Sequence, residues 1–115
     1  MQYMLLIYSD ERANAALTQE QMSEIVGAHL AFGAALREAR VLVGSNRLSP
    51  TSTAKSVRLA DGHTKVLDGP FAETKEQLGG YYLIDVPDRD AALSWAARCP
   101  GGRYGTVEVR PVWVM

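Results

Sequence analysis

Polar and apolar positions divide the chain into short apolar runs and two longer stretches of helical spacing. Tyr3–Tyr8 is apolar throughout and too short for a stable helix, so it reads as a strand. Tyr3, Leu5 and Ile7 fall on one face and Met4, Leu6 and Tyr8 on the other, so both faces of this strand require cover. Residues 9–16 read as a polar loop. Thr18-Gln19-Glu20-Gln21 is a capping box, and a helix follows from about Gln19 to Arg40. At about 100° per residue, Met22, Ile25, Val26, His29, Gly33 and Leu36 share one stripe, while Glu20, Glu24 and Glu38 lie opposite.

Val41–Leu48 is a second strand, followed by a Pro/Ser/Thr loop over residues 49–54. Ser56–Ala60 and His63–Leu67 flank Asp61-Gly62, the dipeptide of a type I′ hairpin turn. Gly80–Val86 is another strand. Asp88 N-caps a second helix with Ala92, Leu93, Ala96 and Ala97 on its inner stripe, and Pro100-Gly101-Gly102 stops it. A last strand, Gly105–Val112, alternates Val107 and Val109 with Glu108 and Arg110. The order β-α-β, hairpin, β-α-β predicts an α+β ferredoxin-like split βαβ sandwich. It has an antiparallel sheet, both helices on one face and an inserted β-hairpin. Two helices cover only one side of the sheet, so a homodimer with opposed sheet faces is expected.

Length and charge narrow the picture. The 115 residues predict a single domain, 1–115. A net charge of −1, with both signs interspersed, gives no basic face for nucleic acid. Cys99 stands alone, which excludes an intrachain disulfide and a cysteine-rich metal site. No apolar run approaches the ~20 residues of a membrane span, and no basic region followed by an apolar core suggests a signal peptide. A cytoplasmic protein without membrane, nucleic-acid, metal or cofactor partners is the expectation.

The densest cluster of turn signals and charges is Asp68-Gly69-Pro70-Phe71-Ala72-Glu73-Thr74-Lys75-Glu76-Gln77-Leu78-Gly79-Gly80-Tyr81. This stretch resembles the signature of the DGPF-domain proteins, within the YCII-related family. The resemblance runs from Met4-Leu5-Leu6-Ile7-Tyr8 to Val107-Glu108-Val109-Arg110-Pro111-Val112. It implies a ferredoxin-like fold that dimerises into an α+β barrel, and it implies no settled reaction. Some members are encoded beside extracytoplasmic-function sigma factors, which implies a regulatory setting for the family.

Five residues are candidates for chemistry. His29 reads as a general acid or base, or as a core-edge histidine bonded to a neighbour. The resemblance favours the first, because His29 matches the position of the family's suspected histidine. Asp68 either orients His29 by accepting a ring proton, which predicts a raised imidazole pKa, or caps the Gly69-Pro70 turn through its own backbone. Glu73 and Lys75, with Glu76, either bind a small polar ligand or form a solvated charged turn. Arg110 either holds a carboxylate or phosphate bidentately or pairs with an acid of the signature loop. Three function classes follow. They are an enzyme with His29 and Asp68 in a pocket near the dimer seam, a non-catalytic ligand-binding or regulatory module, and a structural interaction domain. The first requires His29 to open onto a pocket with a carboxylate in reach; the second requires a pocket or groove without one.

Overall fold

The computed structural model describes residues 1–115. Its elements are β1 (Gln2–Ser9), α1 (Glu11–Ala15), α2 (Gln19–Glu38) and β2 (Leu42–Arg47). A single 3-10 turn (Thr51–Thr53) leads to β3 (Lys55–Ala60) and β4 (His63–Asp68). Then come β5 (Gln77–Asp85), α3 (Arg89–Arg98), α4 (Gly101–Tyr104) and β6 (Thr106–Pro111). β2, β5, β1 and β6 form one antiparallel sheet in that order, and β3 and β4 form a separate two-stranded ribbon. Without the ribbon, this is the ferredoxin-like arrangement. The sheet is open, with β2 and β6 at its edges, so one chain closes no barrel.

Local chemistry fixes the element ends. The Thr18 hydroxyl accepts from the Gln21 amide at 3.1 Å, and the Gln21 side chain accepts from the Thr18 amide at 2.9 Å, which satisfies two free donors of α2. Asp88 caps α3 by accepting from the Ala91 amide at 2.8 Å. Asp61 and Gly62 both adopt positive φ, 51° and 76°, as a type I′ turn requires. Two expectations needed correction. Residues 11–15 are helical rather than loop, because Asp10 caps them through the Arg12 amide at 2.9 Å. Pro100-Gly101-Gly102 ends α3 but leads straight into α4. Gly101 lies close under Ile7, where a Cβ would stand 2.7 Å from the Ile7 side chain.

Register places Tyr3, Leu5 and Ile7 beside Ile84, Tyr82 and Gly80 on the helix-facing side of the sheet, with Val109 and Val107 next to them. The core is Tyr3, Leu5, Phe32, Leu36, Tyr82, Ile84, Val86, Ala92 and Cys99. Phe32 packs edge-on against Tyr82 at 5.0 Å and meets Trp95 of α3 at 6.2 Å, so one ring joins both helices to the sheet. The inner stripe of α2 is therefore Phe32, Gly33 and Leu36, with Ile25 and His29 half-buried. Val26, expected on that stripe, faces outward.

Candidate functional site

His29 sits on α2 where the helix crosses β5. Its Nδ1 lies 2.8 Å from the hydroxyl of Tyr82, and the two rings are nearly parallel at 6.0 Å. Gly33, one turn along α2, lies over the tyrosine: a Cβ there would make an ordinary contact with the Tyr82 ring at 4.0 Å. The hydroxyl also lies 3.4 Å from the His29 carbonyl, a longer and weaker acceptor. A phenol is a better proton donor than a neutral imidazole, so the short contact is assigned as the Tyr82 hydroxyl donating to Nδ1. That tautomer carries its own proton on Nε2. No buried side-chain nitrogen or oxygen lacks a partner. Nε2 has no protein partner, so it reaches solvent as an N–H donor.

Electrostatics keep the ring uncharged. Burial lowers the His29 pKa from 6.5, and the positive charge of Arg47 lowers it further. Burial pushes the Tyr82 hydroxyl up to about 12, with the nearby Cys99 adding to the effect, so it stays a phenol. Arg47 ends β2 opposite Gly80, on the helix-facing side, and its Nη2 lies 4.0 Å from the Met22 sulfur of α2. One edge of the helix–sheet seam thus carries an outward N–H, a guanidinium and the Met22 thioether, and no carboxylate forms an ion pair with either His29 or Arg47.

The other sequence candidates lie elsewhere. Asp68 ends β4 and pairs with Lys55 across the ribbon, so the expected dyad with His29 does not form, and neither does the turn cap. The raised His29 pKa that this dyad predicted is replaced by a lowered one. Arg110 pairs with Glu108, two residues back on the same strand, with Nε at 3.1 Å and Nη2 at 2.5 Å from one carboxylate oxygen. No signature-loop acid reaches it. That pairing lowers the Glu108 pKa and raises that of Arg110, and the Tyr8 hydroxyl donates to Glu108 at 3.2 Å. Arg110 is registered with Met4, on the sheet face away from His29. Glu73 and Lys75 are exposed and form no ion pair. The loop is held instead by Glu76, which accepts from the Thr106 hydroxyl at 2.8 Å, and by the Gly69 amide donating to the Ala54 carbonyl at 2.8 Å.

Two open grooves mark the helix layer. One of 460 Å³ runs along α2 from Leu17 to Leu30, and one of 590 Å³ lies beside Cys99. Neither includes His29 in its lining. Sequence reasoning singled out His29 but passed over Tyr82 and Arg47 as candidates. No spacing in the sequence points to either residue, because both lie on strands outside α2.

This fold and seam define a ferredoxin-like α+β protein with one polar contact at the helix–sheet edge. A family model for the YCII-related domain matches residues 1–115. An uncharacterised protein of Rhizobium meliloti (strain 1021) is 40% identical over 114 residues, covering 97% of this chain and 92% of that protein. The chain belongs to the YCII-related family. No helix is long and apolar enough to cross a membrane.

Proposed function

We propose that the chain binds a small carboxylate- or phosphate-bearing ligand at the seam of α2, β2 and β5, and does so as a homodimer. The observation that carries this reading is the Tyr82–His29 contact. By filling Nδ1 it turns Nε2–H outward as a fixed donor, on the seam edge whose Arg47 guanidinium, near the Met22 sulfur, is close enough to lower the ring's proton affinity. A neutral N–H and a guanidinium together suit an oxyanion, and the fork of Arg47 suits two oxygens at once. Nothing beside the ring raises its basicity, which favours the ligand-binding or regulatory reading over the enzyme reading. Catalysis by His29 as an acid or base remains the second reading. It is supported by the solvent-facing Nε2 and requires the ligand itself to bring the proton acceptor.

The homodimer is supported by the uncovered side of the sheet, where Met4, Leu6 and Leu83 form an apolar centre ringed by Tyr8, Tyr81, Asn46, Glu108 and Arg110. Two such faces opposed would complete an α+β barrel. Equilibrium sedimentation at micromolar protein should then give twice the 12.6 kDa chain mass.

A thermal-shift screen of simple carboxylates and phosphates tests the site. A ligand at 100 times its Kd adds about 2.7 kcal/mol of stability. The shift should disappear in Arg47→Ala and in His29→Asn. Equal shifts in wild type and both variants would place the ligand elsewhere. Chemical change of a bound ligand, lost in His29→Asn, would favour the enzyme reading.

A further inference from the structure

From the β3–β4 ribbon we infer that it is a dimerisation arm, whose apolar face packs against a second copy of this chain. The inference rests on the homodimer proposed above and adds a contact surface to it. The ribbon pairs with no other strand. Register sorts its side chains: Val57, Leu59 and Val66 share one face with Thr64 and the Lys55–Asp68 pair, and Ser56, Arg58, Ala60, His63, Lys65 and Leu67 share the other. The second face is partly covered by the chain's own loop. The Ser56 hydroxyl donates to the Gly69 carbonyl at 2.8 Å, and the Arg58 guanidinium lies 5.7 Å from the centre of the Phe71 ring. The apolar centre of the first face is uncovered: Val57, Leu59 and Val66 are 65%, 76% and 62% exposed, with the Lys55–Asp68 pair at its root. A two-stranded ribbon with a bare apolar face is marginal in water by itself.

The surface of the whole chain says what covers it. The accessible area is 8320 Å², whereas a compact monomer of this mass exposes about 6,200 Å². The radius of gyration is 16.0 Å, against about 13 Å for a compact domain of this length. The excess of about 2,100 Å² is more than the roughly 800 Å² per partner of a standard interface and falls in the range of obligate homodimers. Exposed large apolar side chains concentrate on the arm, at Val57, Leu59 and Val66, and in the tail Trp113-Val114-Met115. A second copy brings the same set of bare surfaces, so a single self-association covers them together. The net charge of −1 with interspersed signs offers no single-sign field for a differently charged partner.

The root of the arm permits a clean test, because Ala54 and Gly69 are already joined by a hydrogen bond of 2.8 Å. Residues 55–68 can be replaced by two glycines without pulling the core apart. A second variant, Val57→Lys with Val66→Glu, changes only side chains that are exposed in the single chain, so its folding is not at risk. Equilibrium sedimentation should show a dimer in the wild type and a dimer Kd raised at least 100-fold in both variants. An unchanged Kd in both would overturn the arm. Leu6→Asp, on the open sheet face, separates the two claims. Dissociation by Leu6→Asp with inert arm variants sinks the arm alone. Dissociation by the arm variants with an inert Leu6→Asp keeps the arm and sinks the opposed-sheet reading. A monomeric wild type sinks both.

Discussion

The hydroxyl of Tyr82 lies 2.8 Å from Nδ1 of His29 and so ties the middle of α2 to the second strand of the sheet. This contact spans 53 residues of sequence. It sets which ring nitrogen faces solvent. Tyr82→Phe keeps the aromatic packing on Phe32 but leaves Nδ1 without its donor. The expected loss of stability is about 1 kcal/mol, at the low end for a stranded acceptor because the half-buried ring can draw in water. Chemical denaturation checks this; a loss of 3 kcal/mol or more would mean that the ring packing had also been disturbed.

Stability should fall as the solution is made mildly acidic. Because burial lowers the proton affinity of His29 below its ordinary 6.5, the unfolded chain takes up the proton first. Between pH 6.5 and the lower folded value, unfolding is coupled to proton uptake, so stability is full above this window and declines on descending through it. His29→Gln should flatten that part of the profile. Glu108, lowered from 4.5 by Arg110, acts in the same direction only in more acidic solution. A profile through pH 6 that is the same in wild type and His29→Gln would contradict the assignment.

The signature loop should depend on Thr106 and not on Arg110. Thr106 donates to Glu76 at 2.8 Å, while Arg110 is engaged with Glu108 on its own strand. Limited proteolysis between Ala72 and Leu78 should accelerate in Thr106→Val and stay at the wild-type rate in Arg110→Ala. The reverse order would restore an Arg110–loop contact.

How much the sequence showed depended on how local each interaction is. The hairpin at Asp61-Gly62 and the caps at Thr18 and Asp88 were legible because a few neighbouring residues settle them. The split βαβ sandwich followed from the element order alone. The burial of α2 was legible only approximately. The apolar stripe is broad enough to include either Val26 or Phe32, and the aromatic cluster of Tyr82 and Trp95 selects Phe32. His29 stood out on its stripe, but its partner lies on a distant strand, and no spacing announces it. Asp68 was drawn off by Lys55, its direct cross-strand neighbour, a partner already implied by the hairpin register. Arg110 and Glu108 were likewise two apart on one strand face, so their pairing was in the alternation from the start.

Close backbone approach gives a further test. At Gly80 a Cβ would stand 2.8 Å from the Asn46 carbonyl of the neighbouring strand, whereas at Gly44 it would meet nothing within 4 Å. Gly80→Ala should cost about 1–3 kcal/mol, as overpacking does, and it should also shift Arg47, which is registered opposite Gly80. Gly44→Ala should be nearly neutral. Equal effects at the two positions in thermal unfolding would contradict the β2–β5 register.

The central claim is that His29 is a neutral imidazole, capped on Nδ1 by Tyr82 and presenting Nε2–H to solvent. Nitrogen-15 NMR of the two histidine rings between pH 8 and pH 5, assigned with His63→Gln, tests it most directly. The account predicts a proton on Nε2, an acceptor-type Nδ1 and a midpoint for His29 below 6.5. A His29 ring that becomes charged above pH 6.5 would contradict the account and return the site to an acid–imidazole pair.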